Sequence, residues 1–210
     1  MGQINKEYFF IRKEKTDGYF PELTPDADTH AKPYEREALP FGQKPLIFRN
    51  GALEFALRRG ALPVDPPPDV LFDGENLVVR ERIAKKLDEM ELSNLAIQPA
   101  IYIDHKKKWH EDYWFLTFTK EFDCWDRKKS RYDPEPPYKG RMLYDVSVYI
   151  LNEELLQKTP LRERLLFRMG GAVLSPVLAH QSIVGLFRMP GVEVISLVER
   201  AEMKGMFLED

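Results

Sequence analysis

Apolar residues along this chain come in short blocks, and the period within each block predicts its element. Residues 8–12 (YFFIR) read as a first strand. Residues 17–40 carry Pro21, Pro25, Pro33 and Pro40 among polar side chains with no clear period, which predicts a long surface excursion. Residues 45–49 form a short apolar strand ending at Asn50-Gly51, and residues 52–59 allow about two helical turns. Pro63 and the run Pro66-Pro67-Pro68 then stop helix and central strand alike. From Asn76 the pattern sharpens. Val79, Ile83, Leu87 and Met90 recur at helical spacing while Arg80, Arg82, Lys85, Lys86, Asp88 and Glu89 fill the other face, so a surface helix is expected there.

Strict alternation follows over residues 95–103, with Leu95, Ile97, Pro99, Ile101 and Ile103 on one side and Ala96, Gln98, Ala100 and Tyr102 opposite. Pro99 has no N–H for a ladder, which argues for a place near a sheet edge. A long loop, 104–112 (DHKKKWHED), leads to a second strand at 113–118, so the two are expected to pair as an antiparallel hairpin. If extension continues, Trp114, Leu116, Phe118, Phe122 and Cys124 share one face, and Thr117, Thr119, Glu121, Asp123 and Trp125 the other. Residues 132–140 are a proline-rich loop; 143–150 are a strand whose Tyr144, Val146, Val148 and Ile150 form a buried row. Asn152 can cap a short helix through Gln157, and 165–169 form another strand closed by Gly170-Gly171. Ser175-Pro176 pairs an N-cap residue with one suited to the first helical position, predicting a helix to Met189, and 192–198 complete the sheet.

Two segments look alike at one constant offset: Leu77, Val78, Ile83, Leu87, Leu92 and Leu95 match Val177, Leu178, Ile183, Phe187, Val192 and Ile195. A duplication would explain it, but shared burial periods explain it more simply, since no polar residues are shared. These readings combine into an α+β fold, a mostly antiparallel twisted sheet with two main helices packed on it and a loop-rich N-terminal part. It is expected as one domain over 1–210, with sub-lobes 1–75 and 76–210.

Composition narrows the function classes. A chain of 210 residues should bury roughly 70% of its unfolded surface and needs no staples. Its 31 basic and 34 acidic side chains are interspersed and leave a net charge of −3, which argues against a general nucleic-acid or membrane-surface binder. Cys124 is the only cysteine, so no internal disulfide can form, and a cytoplasmic location is expected. MGQINKEYFF has no signal-peptide core, and Lys6 replaces the Ser or Thr that would make Gly2 a lipidation site.

Candidate chemistry gathers in two places. Asp104, His105, His110, Glu111 and Asp112 are metal-ligand types within one hairpin tip, and Asp104, His105 and His110 with Asp123 and Asp126 would serve a metal-dependent hydrolase or nuclease. Three consecutive lysines, Lys106, Lys107 and Lys108, would repel a cation there, and the spacing matches no metal motif, so a solvated tip is the plainer reading and no cofactor is expected. Trp109 at that tip suits a protein interface, or else folds back onto the sheet. Around 123–132, Cys124 lacks the turn that thiol catalysis uses and is expected to be packed and inert. The corner carboxylates Asp123 and Asp126 more often bond backbone amides than do acid–base work. Trp125, Arg127, Lys128, Lys129, Arg131 and Tyr132 mix cations with aromatics as single-strand binders do, but the flanking Asp123, Asp126 and Asp133 favour a solvated rim or a patch for a protein.

The helix VVRERIAKKLDEM, the strand NLAIQPAIYI and the segment YWFLTFTKEFDCWDRKKS together resemble a bacterial immunity-protein family of polymorphic toxin systems. The likeness runs over residues 77–130, marked by Asp123, Cys124, Trp125, Asp126 and Ser130, with looser agreement at LLFRMGG. Arg80 stands where a serine is expected to open the helix, and Thr117 where an Asn is common. The resemblance implies a cytoplasmic, non-enzymatic protein that binds and neutralises a cognate toxin encoded nearby; it brings no binding residues with it. Trp109, Asp123, Trp125 and Asp126 are the expected contacts with that toxin.

Overall fold

The computed structural model describes residues 3–14, 20–51, 53–61, 63–138 and 140–205. Gly2, Ala52 and the start of the expected 17–40 excursion lie outside them. In chain order the elements are β1 (Tyr8–Lys13), β2 (Leu23–Pro25), α1 (Ala27–His30), β3 (Leu46–Asn50), α2 (Leu53–Arg58), β4 (Val70–Asp73), β5 (Asn76–Arg80), α3 (Glu81–Asp88), β6 (Leu95–Ile103) and β7 (Trp109–Phe118). There follow β8 (Glu121–Phe122), β9 (Arg131–Tyr132), β10 (Val146–Val148), α4 (Glu153–Lys158), β11 (Leu166–Met169), β12 (Val177–His180), β13 (Val192–Ser196) and α5 (Leu197–Met203). Two compact units result, one over residues 13–120 and 188–193, the other over 1–12, 121–187 and 194–210. The expected 75/76 division falls inside the β4–β5 hairpin.

The first unit is a six-stranded sheet in the order β2-β3-β6-β7-β5-β4, and a parallel bridge from Glu22 to Phe72 brings its two ends together into a nearly closed barrel. Closure removes the unpaired edges through which open sheets aggregate. Its interior holds Leu46, Phe48, Leu71, Val78, Ala100, Tyr102, Tyr113 and Phe115, with Phe48 and Phe115 stacked at 5.8 Å. Tyr34 plugs this core edge-on to Phe115 at 4.9 Å and donates its hydroxyl to Asp73 at 2.9 Å. The 17–40 stretch is therefore more than an excursion. It contains β2 and α1, and Asp26 caps α1 by accepting from the Thr29 amide at 2.8 Å. Thr117 Oγ1 donates to the Tyr34 carbonyl at 2.7 Å, and the Leu39 amide donates to Gln98 Oε1 at 2.8 Å, so side chains fasten the part of the segment that follows the β2–β3 ladder.

Several expectations change here. The helix expected from Asn76 starts only at Glu81; residues 76–80 are strand β5, whose Leu77, Val78 and Val79 are all buried. A run buried on both faces loses the alternation that marks a strand. The overlooked signal was Asp73-Gly74, a hairpin turn with Gly74 at φ +59°, where the β4–β5 pair reverses. Pro99 is not at an edge, because β6 lies between β3 and β7. Its pairing with β3 begins only at Ala100, so the missing N–H falls where β6 is flanked by β7 alone. The β6–β7 hairpin is as expected, but its loop is only 104–108, since β7 begins at Trp109.

The second unit is a five-stranded sheet in the order β13-β1-β12-β11-β8 with a small β9–β10 pair beside it. The helix expected over 177–189 is absent. Residues 177–180 are strand β12, every one buried between β1 and β11, and only 184–187 make a 3-10 turn. Ser175 Oγ bonds Glu121 and the Ala172 carbonyl instead of capping anything. After β13 the chain turns into α5 through a capping box, Ser196 with Glu199, so the strand expected to reach Val198 ends at Ser196. The Asn152 cap on α4 is present, accepting from the Leu155 amide at 3.1 Å. The two look-alike segments share topology as well as period. In one unit β7 lies between β5 and β6, and in the other β1 lies between β12 and β13.

Candidate functional site

The conspicuous corner 123–130 is a fold-holding device. Asp126 donates its amide to the Ile150 carbonyl at 2.7 Å and accepts the Ser130 amide at 2.9 Å on its carbonyl and the Lys128 amide at 2.9 Å on Oδ1, the Asx geometry that reverses a chain. Ser130 Oγ closes the loop by donating to the Ile150 carbonyl and accepting its amide. Trp125 is only 2% exposed and donates its indole N–H to the Gly170 carbonyl at 3.1 Å. Its ring meets Tyr132, Tyr144 and Tyr149 edge-on. Arg127 lies over the outer face of that indole at 3.9 Å and forks onto the Asp123 carboxylate. Gly171, at φ +69°, leaves the space this fork fills: a Cβ there would lie 2.5 Å from the Arg127 guanidinium and 2.6 Å from Asp123 Oδ2.

This geometry bears on three expectations for the segment. A tryptophan without exposed area cannot anchor a partner or stack a base, so Trp125 serves the core. The cations around it are largely committed: Arg127 to Asp123, Lys129 to Asp126 at 3.7 Å, and Arg131 to the Lys204 carbonyl at 3.0 Å. Cys124 is fully buried with its thiol 3.8 Å from Met169 Sδ, and burial pushes that thiol far above its ordinary pKa, away from the thiolate that reacts. Asp123 remains half-exposed at the rim of a shallow groove with Asn152, Glu153 and Gln157.

A different surface forms at the β6–β7 tip. Asp104 is buried at its base, where Oδ1 accepts the Lys106 amide at 2.8 Å and the Lys108 amide at 3.0 Å, and Oδ2 lies 2.8 Å from His110 Nε2. Burial alone would raise the Asp104 pKa, but these hydrogen bonds outweigh it and hold the carboxyl below its usual range. The loop is thus latched from inside. A bulge opposite Ile101 then rotates β7, so that His110 and Tyr113 pack inward on Tyr102 while Trp109 stays on the outside, 53% exposed.

Trp109 borders an open groove with Trp114, Arg80, Asp112 and the Asp65-Pro66-Pro67 segment. Arg80 occupies the N-cap of α3 without capping it by its side chain. Its Nη1 donates to both Asp112 carboxylate oxygens instead, and its guanidinium lies 4.3 Å over the Tyr113 ring, contacts that a serine at this position could not make. The pairing more than offsets burial and lowers the Asp112 pKa. Thr117, the other departure, is the buried hydroxyl that holds Tyr34 in the barrel. Arg80 and Asp65 were invisible as tip residues in the sequence because their partners lie 32 and 41 positions away.

The ligand types expected to gather around a metal do not converge. Asp104 and His110 bind one another, and no group of three or more His, Cys, Asp or Glu side chains suited to a metal ion occurs among the described residues. Asp123 and Asp126 belong to the other unit. No helix among the described residues is long and apolar enough to cross a membrane.

No curated protein matches the chain. A family model, that of the Immunity protein family (Imm11), matches residues 22–159, a span that takes in the whole six-stranded barrel, the latched hairpin tip and the Asp123–Ser130 corner. With well over half of its length so matched, the chain belongs to the Imm11 immunity protein family.

Proposed function

We propose that this chain neutralises a cognate toxin, encoded beside it, by stoichiometric capture, and that the hairpin tip around Trp109 makes the decisive contact. The supporting observation is an indole left more than half exposed at the start of β7, directly after a loop fastened by the Asp104 latch. An exposed tryptophan on a preorganised support is the kind of residue that dominates binding energies, because little freedom remains to be lost on docking. Family membership supports a toxin as the partner and a role without turnover. Of the four contacts expected from sequence, Trp109 carries this reading. Asp123 offers a half-exposed carboxylate on the other unit, and Asp126 and Trp125 act by shaping the corner that presents it.

A useful antidote needs nanomolar affinity or better, about −12 kcal/mol, which an interface on the order of 1,600 Å² can supply. Losing one central aromatic anchor costs about 2–4 kcal/mol, a roughly 30- to 1,000-fold weaker Kd. The test is titration calorimetry against the purified, catalytically inactivated toxin encoded next to this chain. One-to-one binding by the wild type and a Kd weakened at least 30-fold by Trp109→Ala are expected, together with lost protection on co-expression. Equal affinity in the variant, with its fold intact, would refute the assignment.

A further inference from the structure

Resting on that reading, we infer that the toxin face received by this tip is acidic: an anionic protein surface around an apolar notch for Trp109. The inference comes from which charges of the tip are already spent. Asp104 is consumed by His110 and two backbone amides, Asp112 by Arg80, and Lys106 by Asp65. The Asp65–Lys106 hydrogen bond lowers the carboxyl pKa and raises that of the ammonium. Glu81 on the groove wall is held by Lys85 at 3.0 Å. What remains next to Trp109 are Lys107 and Lys108, both exposed and neither with a carboxylate partner among the described residues. Glu111, at the bulge, is the one opposing charge left over.

The backbone adds a second argument. Lys107 sits at the apex with φ +62°, a left-handed conformation that Gly or Asn adopts more readily. A long cation therefore occupies a place that turn formation alone would give to a smaller residue. Two exposed ammonium groups immediately preceding an exposed indole complement carboxylates around a hydrophobic pocket and repel a basic cleft, so the tip does not fit the cationic substrate groove of a nucleic-acid-cleaving toxin. Nucleic acid itself is a poorer occupant. A single-strand site tracks several phosphates along a charged groove, whereas this tip presents two cations on a chain of net charge −3.

The test compares wild type, Trp109→Ala and the double variant Lys107→Glu/Lys108→Glu against the same inactivated toxin, by stopped-flow association at about 50 and 300 mM salt. Steering by opposite charge predicts an association rate for wild type that falls several-fold with salt, and a rate for the double variant at least 10-fold lower at low salt and nearly salt-independent. If Trp109→Ala weakens binding while the double variant and salt change nothing, the tip docks on a face that is not acidic, and this inference fails while the docking surface stands. If neither variant alters binding, both fall. A wild-type mobility shift of a 20-nucleotide single strand at 50 mM salt, abolished by the double variant, would overturn the inference in favour of nucleic acid.

Discussion

Replacing Trp125 by phenylalanine separates the two tryptophans that look alike in the sequence and do different work in the fold. The substitution removes the indole N–H that Gly170 accepts at 3.1 Å, and a buried carbonyl deprived of its donor costs about 1–3 kcal/mol. Contracting indole to phenyl vacates roughly 40 Å³, which at ~24 cal/mol per Å³ adds about 1 kcal/mol if the surrounding tyrosines do not collapse inward. The Arg127 contact at 3.9 Å and the edge-on contacts with Tyr132, Tyr144 and Tyr149 persist in weakened form, a further loss of about 0.5–1 kcal/mol. The sum is about 2.5–5 kcal/mol. For a chain of this size that lowers the midpoint of thermal unfolding by about 5–20 °C. Far-UV circular dichroism is the suitable readout, since the variant has lost one of its fluorophores. Trp109→Phe serves as the control and should stay within about 0.5 kcal/mol of wild type, because its ring is exposed. A Trp125→Phe midpoint within 2 °C of wild type would refute the view that the corner is assembled around this indole.

The remaining expectations are simpler. Gly171→Ala should destabilise by at least ~2 kcal/mol, combining strain at φ +69° with collision against Arg127 and Asp123, and urea unfolding should place its midpoint well below that of Gly74→Ala, whose added Cβ meets nothing within 4 Å. Asp104→Asn should keep the two amide bonds to the loop but lose the charge that His110 faces. Because the folded pKa of Asp104 lies below its unfolded value, near 3.9, the charge contributes stability at pH 6 and loses it as pH falls through the folded pKa. The gap in urea midpoint between wild type and variant should therefore be present at pH 6 and close below about pH 4. A gap unchanged down to pH 2.5 would contradict the latch.

Local signals told the truth where one face of an element is wet. β1, β3, β6 and the Asn152 cap are read directly from residues 8–12, 45–49, 95–103 and 152, as two short bounded apolar runs, one strict alternation and a cap residue before an apolar run. Strands buried on both faces deceived. Leu77-Val78-Val79 and Val177-Leu178-Ala179 have no polar face to mark a period of two, and each runs on into apolar residues at helical spacing, so both imitate a helix. Ser175-Pro176 strengthened the error by imitating a helix start. At the tip, the residue pattern leaves Trp109 two places, a protein interface or the sheet, and only the fold puts it outside. The burial of Trp125 was not, since basic and aromatic neighbours look the same whether they flank a surface or, like Arg127, cover a core residue. Arg80 meets Asp112 only through the β5–β7 pairing, and Asp65 meets Lys106 only through the fold, so neither contact leaves a trace in spacing.

The position of β1 between β12 and β13 has a consequence for synthesis. Tyr8 pairs opposite His180, so the first strand made must wait for almost the last ones, a delay of roughly 10–30 s at ~5–20 residues per second on the ribosome. The barrel strands, all contained in residues 22–118, meet no such delay and can close while translation continues. Trp109 and its latch belong to that early product, so the hairpin tip can be in place while the strands that receive β1 are still to be made.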